Sequence, residues 1–288
     1  LSSTIAALPP GPEEAETRYR LGDTYRRMDK LVPAINEFVA VISAVSGTNK
    51  AAYAKTPEDA TKVKTLMESV YFWKAYCYAL LNKGYTPEQL KGFQQKAIDD
   101  FTKFVADYPK STLSSTALSR LGSLLYASGK SDEANKVFDR LVKEYPEAPE
   151  SKDVVFVRGM SLIELKKMDK AIEVFGEMLS AGEGKFNAPQ FLRVARIMAE
   201  AKEYPTAVKF FERAKKLATR DKAVDRAIWE PAVYGIGEAY FLQGNCAEAA
   251  KAIEELFARY KSSPLFVEAS FILSKAYADM GSKESDKV

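Results

Sequence analysis

Apolar and small residues return along this chain in one phrase with one internal spacing. Leu21-Gly22-x-x-Tyr25 is followed by Ala34-x-x-x-Phe38, and Leu121-Gly122-x-x-Leu125 by Ala134-x-x-x-Phe138. Gly159-x-x-Leu162 precedes Ala171-x-x-x-Phe175, Ala195-x-x-Met198 precedes Ala207-x-x-x-Phe211, and Ile236-Gly237-x-x-Tyr240 precedes Ala249-x-x-x-Ile253. In all five, the small residue of the first phrase lies 12 positions before the Ala of the second. Residues three and four apart share a helix face, so each pair of phrases predicts two helices. The small residues let these approach closely as an antiparallel hairpin, and the large ones fill the remaining space. Ser128-Gly129-Lys130, Met168-Asp169 and Gly244-Asn245 supply turns. Second helices stop at Tyr108-Pro109 and Tyr145-Pro146, because proline disfavours helix in the residue before it.

One unit departs from this spacing. Tyr76 and Ala79 mark its first helix and Ala97-x-x-x-Phe101 its second, a gap of 21 positions. Thr56-Pro57-Glu58-Asp59 and Thr86-Pro87-Glu88-Gln89 are helix starts, with Thr as N-cap and Pro at the first helical position. They predict helices over residues 57–81 and 87–107, each about two turns longer than its counterparts. Residues 46–56 then form a connector, and the helix tips near Asn82 to Gln89 are expected to project beyond the neighbouring turns. A last first helix carries Leu273, Ser274 and Tyr277 before Gly281.

The phrase resembles the tetratricopeptide repeat, a helix–turn–helix unit of about 34 residues with the signature W-x2-L-G-x2-Y…A-x3-F…P. The resemblance runs from about residue 13 to 281. No single hairpin buries its own face, so such units stack into one core. It implies an all-α, superhelical solenoid of about six helix hairpins plus a terminal helix. Residues 1–11 are read as a flexible lead, 12–281 as one solenoid domain with its lengthened second repeat at about 57–110, and 282–288 as a polar tail. The stretches Ala97–Ser111 and Ala134–Pro146, with their Tyr-Pro helix stops, look like bacterial envelope repeat proteins. These are the outer-membrane assembly lipoproteins and the Tol-Pal coordinator family. That likeness implies a periplasmic scaffold.

Composition narrows the chemistry. The chain has 288 residues, 47% hydrophobic, enough for a sizeable core, and a net charge of only +3. So small a charge gives no electrostatic argument for nucleic acid. There is no histidine, which removes histidine-based triads, histidine general bases and His-ligated zinc. Cys77 and Cys246 are the two cysteines. They are too few for a thiolate metal site, and the register sets them too far apart for a disulfide. Gly182-Glu183-Gly184-Lys185 lacks phosphate-loop spacing. Carboxylate neighbours such as Asp99-Asp100 do not face one another on a helix. No run of about 18–20 apolar residues could span a bilayer. No metal or cofactor is expected.

The binding candidates lie on the first helices, at positions offset from the Gly/Ala stripe. Tyr19, Trp73, Tyr126, Phe156 and Met160 fall there in the first part of the chain, with Cys77 and Leu80 at the same spacing. Tyr234, Phe241 and Phe271 follow in the second part. These side chains are either an apolar groove for a partner segment or core of a closed superhelix. Residues 188–228 hold ten Lys and Arg against five Asp and Glu. Their densest part contains Lys215, Lys216 and Arg220, either a dock for an acidic partner or a solvated helix face. The sequence therefore points to a non-catalytic scaffold for other proteins or peptide segments, with membrane-associated partners in the cell envelope. A cytoplasmic peptide-binding adaptor is the alternative, and a helical-solenoid enzyme built on Arg196, Tyr234 and Glu238 is a third.

Overall fold

Each repeated phrase becomes a helix in the protein's structure, a computed structural model that describes residues 8–180, 184–218 and 223–285. Among the described residues there are fourteen α-helices, one 3-10 turn and no strand. None of the helices is long and apolar enough to cross a membrane. Contacts divide the chain into two compact units, Leu1–Leu165 and Lys166–Val288, within the range that the sequence reads as one array.

The first unit holds α1 (Pro12–Arg27), α2 (Leu31–Ser46), the 3-10 turn Lys50–Tyr53, α3 (Pro57–Leu80) and α4 (Pro87–Asp107). It continues with α5 (Ser114–Ala127), α6 (Ser131–Glu144), the short α7 (Pro149–Asp153) and α8 (Val155–Glu164). The second unit holds α9 (Met168–Ser180), α10 (Ala188–Glu200), α11 (Tyr204–Leu217), α12 (Ala223–Leu242), α13 (Cys246–Arg259) and α14 (Phe266–Ser285). α14 runs on through Gly281, so part of the expected polar tail is helical.

Close approach inside the hairpins rests on the small residues, as the spacing requires. A Cβ on Gly22 would lie 2.8 Å from the Phe38 ring, one on Gly122 would overlap Phe138, and one on Gly237 would lie 2.6 Å from Ile253. Phe38, Phe138 and Ile253 are fully buried, each by the area that makes an aromatic or aliphatic side chain worth roughly 1.5–3 kcal/mol. A fourth close contact has no counterpart in the repeated phrase. Gly235 of α12 lies under Phe211 of the preceding α11, and so joins two hairpins.

The turns share one conformation. Five positions before the second-helix Ala, the backbone is left-handed at Asp29 (φ 57°), Gly129 (75°), Lys166 (57°), Lys202 (63°) and Gly244 (76°). At four of them the next residue donates back to the first helix at the same 2.9 Å: Lys30 to Tyr25, Lys130 to Leu125, Glu203 to Met198 and Asn245 to Tyr240. This is a Schellman closure, which satisfies the last carbonyls of the first helix.

The lengthened hairpin is where structure and expectation part. Its caps are as read: Thr56 accepts from the Asp59 N–H at 3.1 Å, and Thr86 and Gln89 form a reciprocal capping box. Buried Ala75 sits five residues from the end of α3, as Gly22, Gly122 and Gly237 do in α1, α5 and α12. The surplus of α3 is therefore at its N-terminus, beside the connector. The surplus of α4 precedes Ala97, at the turn. In an antiparallel hairpin these are opposite ends, so only α4 lengthens the tip. There Phe93 packs on Tyr85 (5.0 Å between centroids) and Tyr78 (6.1 Å).

Glycines in this fold thus divide into two kinds. Gly122→Ala forces a Cβ against a rigid buried ring and is expected to cost about 1–3 kcal/mol. Gly92 in α4 and Gly176 in α9 are exposed with nothing near a Cβ, and Gly→Ala there is expected to add roughly 0.5–1 kcal/mol. Chemical denaturation of the three variants should show these opposite signs.

Candidate functional site

The N-terminal surplus of α3 creates a concavity in the first unit. It stands beside α1, and the connector closes the gap beneath them. The resulting open cleft has a volume of about 840 Å³. Tyr19, Val63, Leu66 and Ala52 supply its apolar lining, and Pro9 to Pro12 form one rim. Glu13, Glu16 and Asp59 face Arg20, Lys55 and Lys62 along the walls. Arg20 pairs with Glu16 at 2.5 Å and Lys62 with Glu58 at 2.8 Å, both on the exposed helix surface. Such pairs contribute little to stability but leave a polar rim of mixed sign.

A buried clasp ties the connector to α1 beside the cleft. The Tyr53 hydroxyl donates to Glu14 Oε2 at 2.5 Å, and Glu14 also pairs with Arg18. Arg18 reaches on to Glu37 of α2 at 3.6 Å. Burial, and then the Glu14 carboxylate, push the Tyr53 hydroxyl up to about 12, so it stays a proton donor throughout the physiological range. The 46–56 connector is therefore tied to α1 by a fully formed hydrogen bond, and Tyr53 is core.

The sequence-predicted residues separate into several surroundings. Tyr19 lines the cleft, with its ring 6.0 Å from that of Phe38. Trp73 is half-buried against both apolar clusters of the first unit. The Arg26 guanidinium lies 3.8 Å from its ring centroid, and Phe72 and Tyr76 meet it edge-on. Arg26 is itself paired with Asp23 at 2.6 Å; against the pull of burial, Arg26 and Arg27 hold that carboxyl below its usual range. Tyr126 and Phe156 are half-buried. Met160 is 5% exposed and belongs to the interior, as does Cys77: the helix turns these two off the open face. Burial drives the Cys77 thiol up to about 12, against a smaller opposing effect of Arg26. Both cysteines are free thiols.

In the second unit Tyr234 is half-buried and donates to Glu238 at 3.1 Å; burial and that carboxylate push its hydroxyl up to about 12. Phe241 packs between two small clusters, and Phe271 is exposed. Lys215 pairs with Glu255 at 2.5 Å, and its ammonium lies 5.8 Å from the Trp229 ring centroid. Lys216 is exposed, and Arg220 lies outside the described residues. Among the described residues no cluster of three or more His, Cys, Asp or Glu could hold a metal.

Sequence reasoning missed the Val63–Leu66 wall of the cleft and the carboxylates that anchor the connectors. The first was recoverable from the position of Ala75 within α3. The second recurs along the chain: Ser111 donates to Glu68, and Ser263 to buried Glu230 at 2.8 Å. In both cases a serine three residues after a helix-ending tyrosine bonds back to the preceding first helix.

Comparison with known proteins follows the fold. A tetratricopeptide repeat family model matches residues 119–185 and 234–285. No curated protein matches the chain in sequence. Among solved structures, a tetratricopeptide repeat protein from Parabacteroides merdae is 20% identical, with a TM-score of 0.50 over 94% of this chain and 92% of that one. The C-terminal part of a TPR repeat-containing protein from Cytophaga hutchinsonii is 14% identical, with a TM-score of 0.52 over 87% and 98%. A signal transduction ATPase with numerous domains and a tetratricopeptide repeat sensor, from Pyrococcus horikoshii, is 16% identical, with a TM-score of 0.52 over 91% of this chain and 44% of that one. These likenesses are of fold: all-α and tetratricopeptide-repeat-like.

Two outcomes test these placements. Trp73→Ala removes a ring that carries an arginine and bridges two clusters, and is expected to cost about 3 kcal/mol in denaturant unfolding. An unchanged midpoint would return Trp73 to the open face. Alkylation mapped by peptide mass should find Cys77 at least ~100-fold slower to react in the native protein at pH 8 than in denaturant, because its thiolate is disfavoured.

Proposed function

We propose that this protein is a non-catalytic scaffold for protein–protein interaction and that its principal dock is the α1–α3 cleft. The occupant is an extended segment of a partner protein. The observation that carries this reading is the cleft itself: a volume of about 840 Å³ lined by Tyr19, Val63, Leu66 and Ala52 together with charges of both signs. The tetratricopeptide-repeat-like fold supports it, since such stacked hairpins expose long faces made of several helices. Mixed charge on the walls favours a segment that carries both an acidic and a basic residue beside its apolar anchor.

The cell envelope is the compartment we infer, on the support of the Tyr-Pro helix stops at residues 108–109 and 145–146, with membrane-associated proteins as partners. Fractionation of native cells is the direct test. Recovery with periplasm or envelope upholds that compartment, and recovery in the cytosol makes the protein a cytoplasmic adaptor.

The dock is tested without knowledge of the partner. Displayed random peptides selected on the 288-residue chain should share an apolar anchor flanked by charge. Leu66→Glu places a carboxylate in the α3 wall of the cleft, where Leu66 is only half-buried. It is expected to weaken the selected peptides at least ~tenfold in fluorescence anisotropy while the fold is kept. Selected peptides that bind Leu66→Glu undiminished would move the dock elsewhere.

A further inference from the structure

The last helix of the second unit offers a face that the fold covers everywhere else. α14 is a first-type helix, and among the described residues no second helix lies against it as α13 lies against α12. Aligning Ser274 with Gly237 shows the difference. Gly237 is buried beneath Ile253, and Glu230, seven residues earlier, is buried. Ser274 is exposed, and Val267, seven residues earlier, is 76% exposed. Phe271 is 60% exposed. Ala269, Ile272 and Ala276 point the other way, into the unit.

The exposed side reads Val267, Phe271, Ser274, Ala278, a spacing of four, three and four that forms a continuous seam on a helix. Glu268 and Lys275 flank one edge of that seam, seven residues apart, and both are exposed. The Lys275 ammonium lies 5.9 Å from the Phe271 ring centroid.

We propose that this seam pairs with the seam of a second copy of the chain, antiparallel about a two-fold axis. Size complementarity selects the register. With Phe271 opposite Ser274 of the second copy, Val267 falls opposite Ala278, so every layer sets a large residue against a small one. The same register sets Glu268 beside Lys275 of the second copy, twice per dimer. A parallel in-register pairing would set Phe271 against Phe271 and Ser274 against Ser274, and would put Glu268 and Lys275 of the two copies on opposite sides of the helix pair, out of reach of one another. Antiparallel is also the direction in which second helices pack on first helices in this fold, so the second copy's helix takes a second helix's place. One helix pair buries less than the roughly 1,200 Å² of a standard stable interface, so the dimer is reversible and its population rises with concentration.

Sedimentation of the full chain across the micromolar range tests this. The weight-average mass is expected to rise toward that of two chains. Phe271→Asp puts a charge into the seam, and Glu268→Lys sets four cations along it; each should weaken the dimer at least ~tenfold. Both positions are exposed, so the melting temperature should hold. The double variant Glu268→Lys/Lys275→Glu should restore dimerisation, because it inverts both members of each pair. A chain that is monomeric at every concentration overturns the proposal. So does a dimer that Phe271→Asp leaves intact, or a charge-inverted variant that fails to recover.

Discussion

The contact of a first-helix glycine with a buried large side chain of the second helix is the constraint on which the hairpins depend. Phe38 and Phe138 occupy the volume in which a Cβ at Gly22 or Gly122 would have to lie. Two helices this close leave little choice of crossing geometry, and the twelve-residue interval between small residue and Ala then fixes the turn. The interval closes through a left-handed residue at one place, with the same return hydrogen bond in four turns. Tight packing and turn conformation are two expressions of one spacing. A residue added to the turn would slide the aromatic ring off its glycine.

Much of this was legible in the sequence, because both halves of the constraint have distinct residue types. Helix limits of the irregular hairpin were read to within a residue from Thr-Pro caps at 56–57 and 86–87. The turns at Asp29, Lys166 and Lys202 carried no glycine to mark them, since the Schellman closure holds a non-glycine residue at positive φ. The aromatic stripe was legible as a spacing and not as an environment. Met160 and Cys77 lie on the same helical interval as Tyr126 and Trp73, yet the two sulfur side chains are interior. Helical period places a residue on a stripe about a third of the circumference wide, and whether its edge is covered depends on neighbouring helices that period does not describe.

The direction in which a helix is lengthened was hidden for a related reason. The interval from Ala75 to Ala97 is 22 positions where the other hairpins have 12, as from Gly22 to Ala34, and by itself it says nothing about which end received the added residues. Only the buried small residue, Ala75, gives the register of α3 against its neighbours. Once that is fixed, the added turns divide between opposite ends of the hairpin, and they do different things. Those of α4 fold back on themselves through Phe93, Tyr85 and Tyr78. Those of α3 have α1 on one side and no helix of equal length to cover them, so their flank becomes the wall of a cleft.

Beside that cleft lies one of three carboxylates that tie a connector back to the preceding first helix. Glu14, Glu68 and Glu230 lie eight, seven and seven residues before Gly22, Ala75 and Gly237. Glu68 and Glu230 accept from the serines of short connectors, which draws those connectors against the helix. Glu14 accepts from a tyrosine instead, in the long connector that follows α2. Glu14 and Glu230 are buried, and a buried carboxylate left without its donor costs about 1–3 kcal/mol or more, so neither is released readily. A tyrosine reaches farther than a serine, which suits the longer connector that carries it. Ala52 and Lys55 line the cleft from that connector, with the Ala52 carbonyl 3.6 Å from where a Cβ on Gly11, the N-cap of α1, would lie. The recurring clasp thus joins consecutive hairpins through a serine where the connector is short and through a tyrosine where it is long.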